Sequence, residues 1–311
     1  MDIDDLPGVP LTWASAEKHR LSTRRLRYAV RRGLVRPVLR GVFLRADVPL
    51  TLEVKLAAAS LVINSSSVAC DRTAAWIWGV DVHELRELDD VPPLETYVVR
   101  GRRPTHRGEV RGGERDLTPE DWVVVNGVKV TTPARTAMDL GCLLPRRNAL
   151  AAMDALMRAQ EFSPRELVRL LPRYFRRRGV VQLRELVPLV DRRAESQPES
   201  WTRLELIDSG LPMPEVQWWV DVDGVPTYRL DLAYPKAKIA VEYNGEEFHT
   251  SEEDREKDRR RREWLEAHGW TVIVVDRSDF FRGAQRCWPA EVAAALREAQ
   301  RPPRRQYARR G

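Results

Sequence analysis

Residues 227–250 read TYRLDLAYPKAKIAVEYNGEEFHT, in which two β-prone runs, TYRLDLAY and KIAVEYN, flank the tight break Tyr234-Pro235-Lys236. A hairpin folded about Lys236 places Asp231 almost opposite Glu242, because the two positions are nearly equidistant from the turn. Like charges directly opposed on a sheet repel, so a carboxylate pair there calls for a cation or a chemical role. Alternating solvent-facing residues are the competing reading. LDLAY and AVEYNG, however, embed both acids in apolar runs of the kind that form central strands, which favours a site. Mg²⁺, with Mn²⁺ as the alternative ion, suits such a pair: a hard cation takes a few carboxylate oxygens and keeps water and phosphate in its other positions. Asp231 and Glu242 are therefore the expected metal ligands of a site that polarises a phosphodiester and acidifies an attacking water.

Working outward, ESWTRLELIDSG reads as a helix with Pro198 in its first turn and Gly210 at its end. EVQWWVDV and TYRLDLAY flank the hairpin signal Asp223-Gly224, with Pro226 expected to shorten the second strand. A charged helix runs from Glu252 to His268, stops at Gly269 and leads into the buried strand TVIVV. The order is αβββαβ. Asp258 and Arg261 stand at helical spacing, for which a surface ion pair is the ordinary explanation, while Arg255, Arg259, Arg260 and Arg262 offer the same helix to a nucleic-acid backbone. Trp218, Trp219, Trp264 and Trp270 read as core or rim packing.

The string Asp231-x10-Glu242-x-Asn244 resembles the PD-(D/E)xK nuclease signature, and LDLAYPKAKIAVEYNGEEFHT resembles the branch related to very-short-patch repair endonucleases. The likeness spans roughly residues 197–280 and includes the later series Asp258, Arg261, Leu265, Gly269 and Trp270. It implies a restriction-endonuclease-like fold with Asp231 and Glu242 as ligands. It also implies that Glu199 is a further acidic site residue and His249 an acid or base beside the scissile phosphate. Glu199 equally suits a helix first turn, where an acid complements the macrodipole, and His249 alone would read as an exposed histidine. Asn244 stands where the family has lysine and cannot supply a charged group or a proton. No cysteine cluster stands where the repair enzymes hold a structural zinc.

In the N-terminal half, Ser22 is a candidate N-cap for TRRLRYAVRR, Leu26 and Val30 form an apolar stripe, and Gly33 can end the helix. LVRPVLRGVFL then supplies two short β-prone runs around Arg40-Gly41. Helix, basic helix and wing form the winged helix-turn-helix order, with Arg24, Arg25, Arg27, Arg31 and Arg32 on the DNA-facing helix; an arginine-rich solvated cap is the plainer alternative. Beyond it lie the candidate helices TLEVKLAAASLV and RTAAWIWG and the strands LETYVVR and WVVVNGVKV, the last with an Asn126-Gly127 turn. RRGLVRPVLRGVFL with VTTPARTAMDL (Thr131, Arg135, Thr136, Asp139) resembles abortive-infection type IV antitoxins, which carry an N-terminal DNA-binding winged helix. Arg135 and Asp139 are spaced as helical partners, so structural roles explain them.

The expected organisation is multidomain α+β and α/β. A winged helix covers 1–48, an antitoxin-like α+β module 49–145 and a helical connector 146–195. The endonuclease-like domain covers 196–300 and a basic tail 301–311. At 311 residues, 43% hydrophobic and 32% charged, the chain can bury real cores. Its net charge of +6, gathered in arginine clusters, points to DNA as partner. Cys70, Cys142 and Cys287 make neither a disulfide framework nor a zinc site, which fits a reducing cytoplasm. MDIDDLPGVP lacks an apolar h-region and no long apolar run follows, so neither export nor a membrane is expected. The leading expectation is a Mg²⁺-dependent endodeoxyribonuclease of DNA repair or defence, with room for a partner protein. The alternative is a non-catalytic DNA-binding regulator or antitoxin whose nuclease domain has degenerated.

Overall fold

The computed structural model describes residues 2–82, 94–101, 110–245, 252–280 and 287–301, and the chain divides into two compact units between Arg192 and Arg193. The first unit opens with β1 (Leu11–Thr12), α1 (Thr23–Arg31), β2 (Val35–Leu39) and β3 (Val42–Arg45), whose strands lie in the order β1-β3-β2. Ser22 caps α1, its Oγ accepting from the Arg25 N–H at 3.3 Å, and Gly33 ends it at φ 68°. Leu11, Leu26, Ala29 and Val35 make a small core under the helix. The helix preceding α1 is only a 3-10 turn, Ala16–His19. Val38, Leu39, Val42 and Leu44 join a separate core with Leu56, Ala74, Ile77 and Val130. Both faces of the wing are thus apolar, and the boundary expected after residue 48 cuts through a shared core.

That second core lies among α2 (Leu52–Ser60), β4 (Ser67–Ala69), α3 (Asp71–Ile77), β5 (Leu94–Val99), β6 (Val110–Arg115), β7 (Trp122–Val125), β8 (Val128–Thr131) and α4 (Pro133–Leu143). The strands form a sheet in the order β6-β5-β4-β8-β7. Asn126 and Gly127, at φ 46° and 81°, turn β7 into β8 as their left-handed preference requires. The segment expected to be a connector packs as part of this unit: α5 (Arg146–Ala159), α6 (Pro164–Leu170) and α7 (Val180–Leu186) all pack on α4. A Cβ on Gly141 would come within 2.5 Å of Leu183 Cδ1 and 2.9 Å of Met153 Sδ, so a larger residue there would force these two buried side chains to shift.

Beneath α4 lies a buried charge network. The Asp139 carboxylate accepts from Arg135 Nε at 3.0 Å, Tyr174 OH at 2.5 Å and Arg115 Nη1 at 3.0 Å, and pairs with Arg177 Nη1 at 2.8 Å. Arg115 also grips Asp71 through two bonds of 2.7 and 2.6 Å, while Asp121 pairs with Arg135 and Arg173. Burial, then the Asp139 charge, holds the Tyr174 phenol well above its ordinary pKa, so it keeps the proton it donates. The sequence spacing anticipates only the Arg135–Asp139 pair.

The second unit runs α8 (Gln197–Asp208), β9 (Glu215–Val222), β10 (Val225–Tyr234), β11 (Ile239–Asn244), α9 (Glu252–Ala267), β12 (Thr271–Asp276) and α10 (Trp288–Ala299). It therefore extends the expected αβββαβ order by a helix. The sheet order is β12-β11-β10-β9, antiparallel except for the parallel pair of β11 and β12. Asp223 and Gly224, at φ 51° and 79°, make the first hairpin turn. Pro226 does not shorten β10, which starts at Val225, but the register shifts between Pro226 and Tyr228. Leu230, Ala240, Leu265 and Trp270 form the core, with Trp264 packed against it. Trp218 and Trp219 stay exposed on the edge strand. Among the described residues no helix is long and apolar enough to cross a membrane.

Candidate functional site

The β10–β11 ladder pairs Tyr234 with Ile239, Ala233 with Ala240 and Leu232 with Val241, so its next step sets Asp231 opposite Glu242. Both acids line one cleft of about 210 Å³ with Asn244, Asp258, Arg261, Arg262 and Val274. The Tyr243 N–H donates to Asp231 Oδ2 at 3.0 Å, which ties this side chain to the neighbouring strand. Burial, then the nearby Glu199 charge, pushes the Asp231 carboxyl from 3.8 up to about 7, and Glu242 adds to the effect. The sheet therefore holds the Asp231 carboxylate at a cost that a cation would offset.

Glu199, 8% exposed on α8, is close enough to act on Asp231, but its oxygens are already engaged. Ser196 Oγ donates to Oε1 at 2.8 Å, and the Glu195 N–H and Gln217 Nε2 donate to Oε2 at 2.9 and 2.8 Å. It is at once a cap residue and a site neighbour. Gln217 went unread in the sequence. It sits at φ 54° within β9, a backbone state that no side-chain pattern announces.

Arg261 makes the ion pair that helical spacing suggests and a closer one besides. Its guanidinium grips Glu242 through both nitrogens, Nη1 reaching Oε2 at 2.9 Å, while Asp258, the partner expected from helical spacing, lies farther off at 3.7 Å. Arg259 pairs with Glu256 and Glu263, Arg260 with Glu256, and Arg262 with Asp258, so these three arginines are matched within their own helix, while the side chain of Arg255 lies outside the described residues. The exposed Arg259 pairs contribute little to stability and do not withhold a cation from phosphate. His249 and the 302–311 portion of the basic tail lie outside the described residues.

The donor set fits a hard divalent cation. Asp231 and Glu242 offer carboxylate oxygens, and the Asn244 Oδ1 is buried in the same cleft without a hydrogen-bond partner among the described residues. Among the described residues no three His, Cys, Asp or Glu converge as a full ligand shell. Mg²⁺, which needs only one or two carboxylates beside its waters and a phosphate, does not require one.

In the first unit Arg24, Arg25, Arg27, Arg31 and Arg32 are all exposed on or just after α1, and among the described residues none is held in a salt bridge. Leu26 and Ala29 fill the opposite face of the helix, and Arg40 stands exposed at the wing turn.

Comparison with known proteins matches residues 67–189 to the AbiEi antitoxin C-terminal domain and residues 216–296 to the REase_MTES_1575 family, which is restriction-endonuclease-like. The chain is also 35% identical over 226 residues to uncharacterized protein MT2308 of Mycobacterium tuberculosis (strain CDC 1551 / Oshkosh), a match covering 71% of this chain and 79% of the relative. This chain belongs to the same family. Uncharacterized protein Rv2248 of strain ATCC 25618 / H37Rv matches to the same extent. The family member described here thus joins an antitoxin-type domain to a restriction-endonuclease-like one. The antitoxin match runs to residue 189, through α5, α6 and α7, in keeping with their packing on α4.

Proposed function

We propose that this protein is a cytoplasmic, metal-dependent endonuclease of DNA repair or defence, whose N-terminal helix and wing bind duplex DNA and whose second unit hydrolyses a phosphodiester. The observation that carries the reading is that Asp231 and Glu242, on two central strands, line one cleft in which the Asn244 oxygen has no partner among the described residues. A bound Mg²⁺ would supply Lewis-acid polarisation of the phosphate and an acidified water. The chain's own residues do the rest: Asp231 and Glu242 would hold the ion, Glu199 adds negative potential behind Asp231, and Arg261 brings a permanent positive charge to the cleft. Because the third-position residue is Asn244, no lysine contributes at that point of β11.

The test is incubation of the full-length protein with duplex, mismatched, flapped and single-stranded DNA and with RNA, in Mg²⁺, Mn²⁺ or EDTA. Cleavage in metal, lost in EDTA and in Glu242→Gln, is expected. Asn244 is the observation that favours the second reading, a DNA-binding regulator with a silent nuclease fold and a toxin-type protein partner. Tight DNA binding without cleavage of any form would establish it in place of the first.

DNA binding itself is expected to depend on α1. Arg24→Ala and Arg27→Ala in the full-length protein should each weaken duplex binding and lower the slope of log affinity against log salt by about 1, the loss of one phosphate contact. An unchanged slope would leave these arginines as a solvated face.

A further inference from the structure

We infer that Arg261 is a latch on the proposed metal site: it holds Glu242 in the free protein, and passing its guanidinium to a nucleic-acid phosphate frees Glu242 for a divalent cation. The inference rests on the metal-site reading above. Glu242 is 7% exposed, and its two oxygens are the acceptors of the Arg261 fork. A carboxylate held in this bidentate way has its best lone pairs directed at nitrogen, and a cation needs the same lone pairs. Ion and guanidinium therefore compete for Glu242.

The other contacts of Arg261 show how the competition is poised. Nη2 also donates to the Arg229 carbonyl at 3.0 Å, and Asp258 lies 3.7 Å from Nη1, so the latch is held from three sides. Yet the Arg261 side chain is 23% exposed and lines an open cleft, so it can turn toward solvent without disturbing the core. Guanidinium forks fit phosphate as well as carboxylate, whereas leaving a buried arginine with no acceptor is costly. Release is thus unfavourable alone and favourable when a phosphodiester enters the cleft. Metal and DNA then bind cooperatively, and the coupling is reciprocal. A nuclease built in this way arms its site only on substrate, and Arg261 supplies beside the phosphate the positive charge that Asn244 cannot.

The experiment is calorimetric titration of Ca²⁺, a hard-oxygen cation, into the full-length protein with and without a short duplex, with a duplex-only blank. For the wild type, the duplex is expected to tighten Ca²⁺ binding by about tenfold, and Ca²⁺ to tighten duplex binding by the same factor. Arg261→Gln should bind Ca²⁺ about tenfold more tightly than wild type without DNA, with the duplex adding little. Arg261→Lys keeps the charge but not the fork and should fall between; it decides the matter if the Gln variant fails to fold. Equal or weaker Ca²⁺ binding by the variants in the absence of DNA overturns the latch and leaves the metal site standing. If wild type and variants bind no Ca²⁺ with or without duplex, the metal-site reading falls and the latch with it.

Discussion

Asp139→Ala is expected to destabilise the first unit by about 3–5 kcal/mol, the usual consequence of removing one partner from a buried ion network. Four donors, from Arg115, Arg135, Tyr174 and Arg177, converge on this one carboxylate, whose side chain is 1% exposed. After its removal Arg135 retains Asp121 and Arg115 retains Asp71, but the Tyr174 hydroxyl loses the acceptor of its proton, Arg177 loses its partner, and the network is left with an excess of positive charge. Asp139→Asn keeps the volume yet turns an amide group toward guanidinium donors, so it should lose nearly as much. Glu185→Ala is the contrast: it breaks the exposed pair with Arg146 and should change stability by less than about 1 kcal/mol. Hydrogen exchange of the α4 amides reads the first unit directly, whatever the second unit does. A loss for Asp139→Ala no larger than that of Glu185→Ala would mean that water satisfies the freed donors and that the network sets geometry more than stability.

The same network shows where sequence reading stops. Spacing within one helix exposes Arg135–Asp139, but Asp71, Arg115, Asp121 and Tyr174 come from separate elements, and only the packed fold brings them together. Turn chemistry, in contrast, is local. Asn126-Gly127 and Asp223-Gly224 adopt the left-handed states their residue types favour, and equal distance from the Pro235 turn is enough to oppose Asp231 to Glu242. Between residues 146 and 195 helices α6 and α7 are short, and what they pack against is not local: Pro164 opens α6 behind a Ser163–Glu166 capping box, and Pro172 and Pro188 sit in the 3-10 turns that follow α6 and α7, so proline-jointed helices form a folded layer on α4. For Arg261, helical periodicity named Asp258 because it is near in sequence, while docking of α9 on the sheet gave it Glu242.

Asp231→Asn is expected to stabilise the metal-free protein while removing its response to divalent cations. In the folded chain the Asp231 carboxyl is raised from 3.8 to about 7, by burial first and Glu199 second. The folded state therefore binds this proton more tightly than the unfolded state. The group's contribution to stability is fully present below about pH 4 and is lost as pH rises to about 7. Above that range the penalty is on the order of 2–4 kcal/mol. Asparagine presents an oxygen to the Tyr243 N–H and brings no charge near Glu199 or Glu242, so it escapes the penalty. In EDTA, the melting temperature of the variant should exceed that of wild type by several degrees at pH 7.5, with the difference shrinking toward pH 4. Mg²⁺ should then raise the wild-type melting temperature and leave the variant unmoved, since a ligand that binds only the native state stabilises it by mass action. A structural role for Asp231 makes the opposite forecast, a variant less stable than wild type in EDTA at neutral pH. A buried carboxylate kept against its own stability, if a cation relieves it in this way, would separate a working site from an ordinary pair of strand residues.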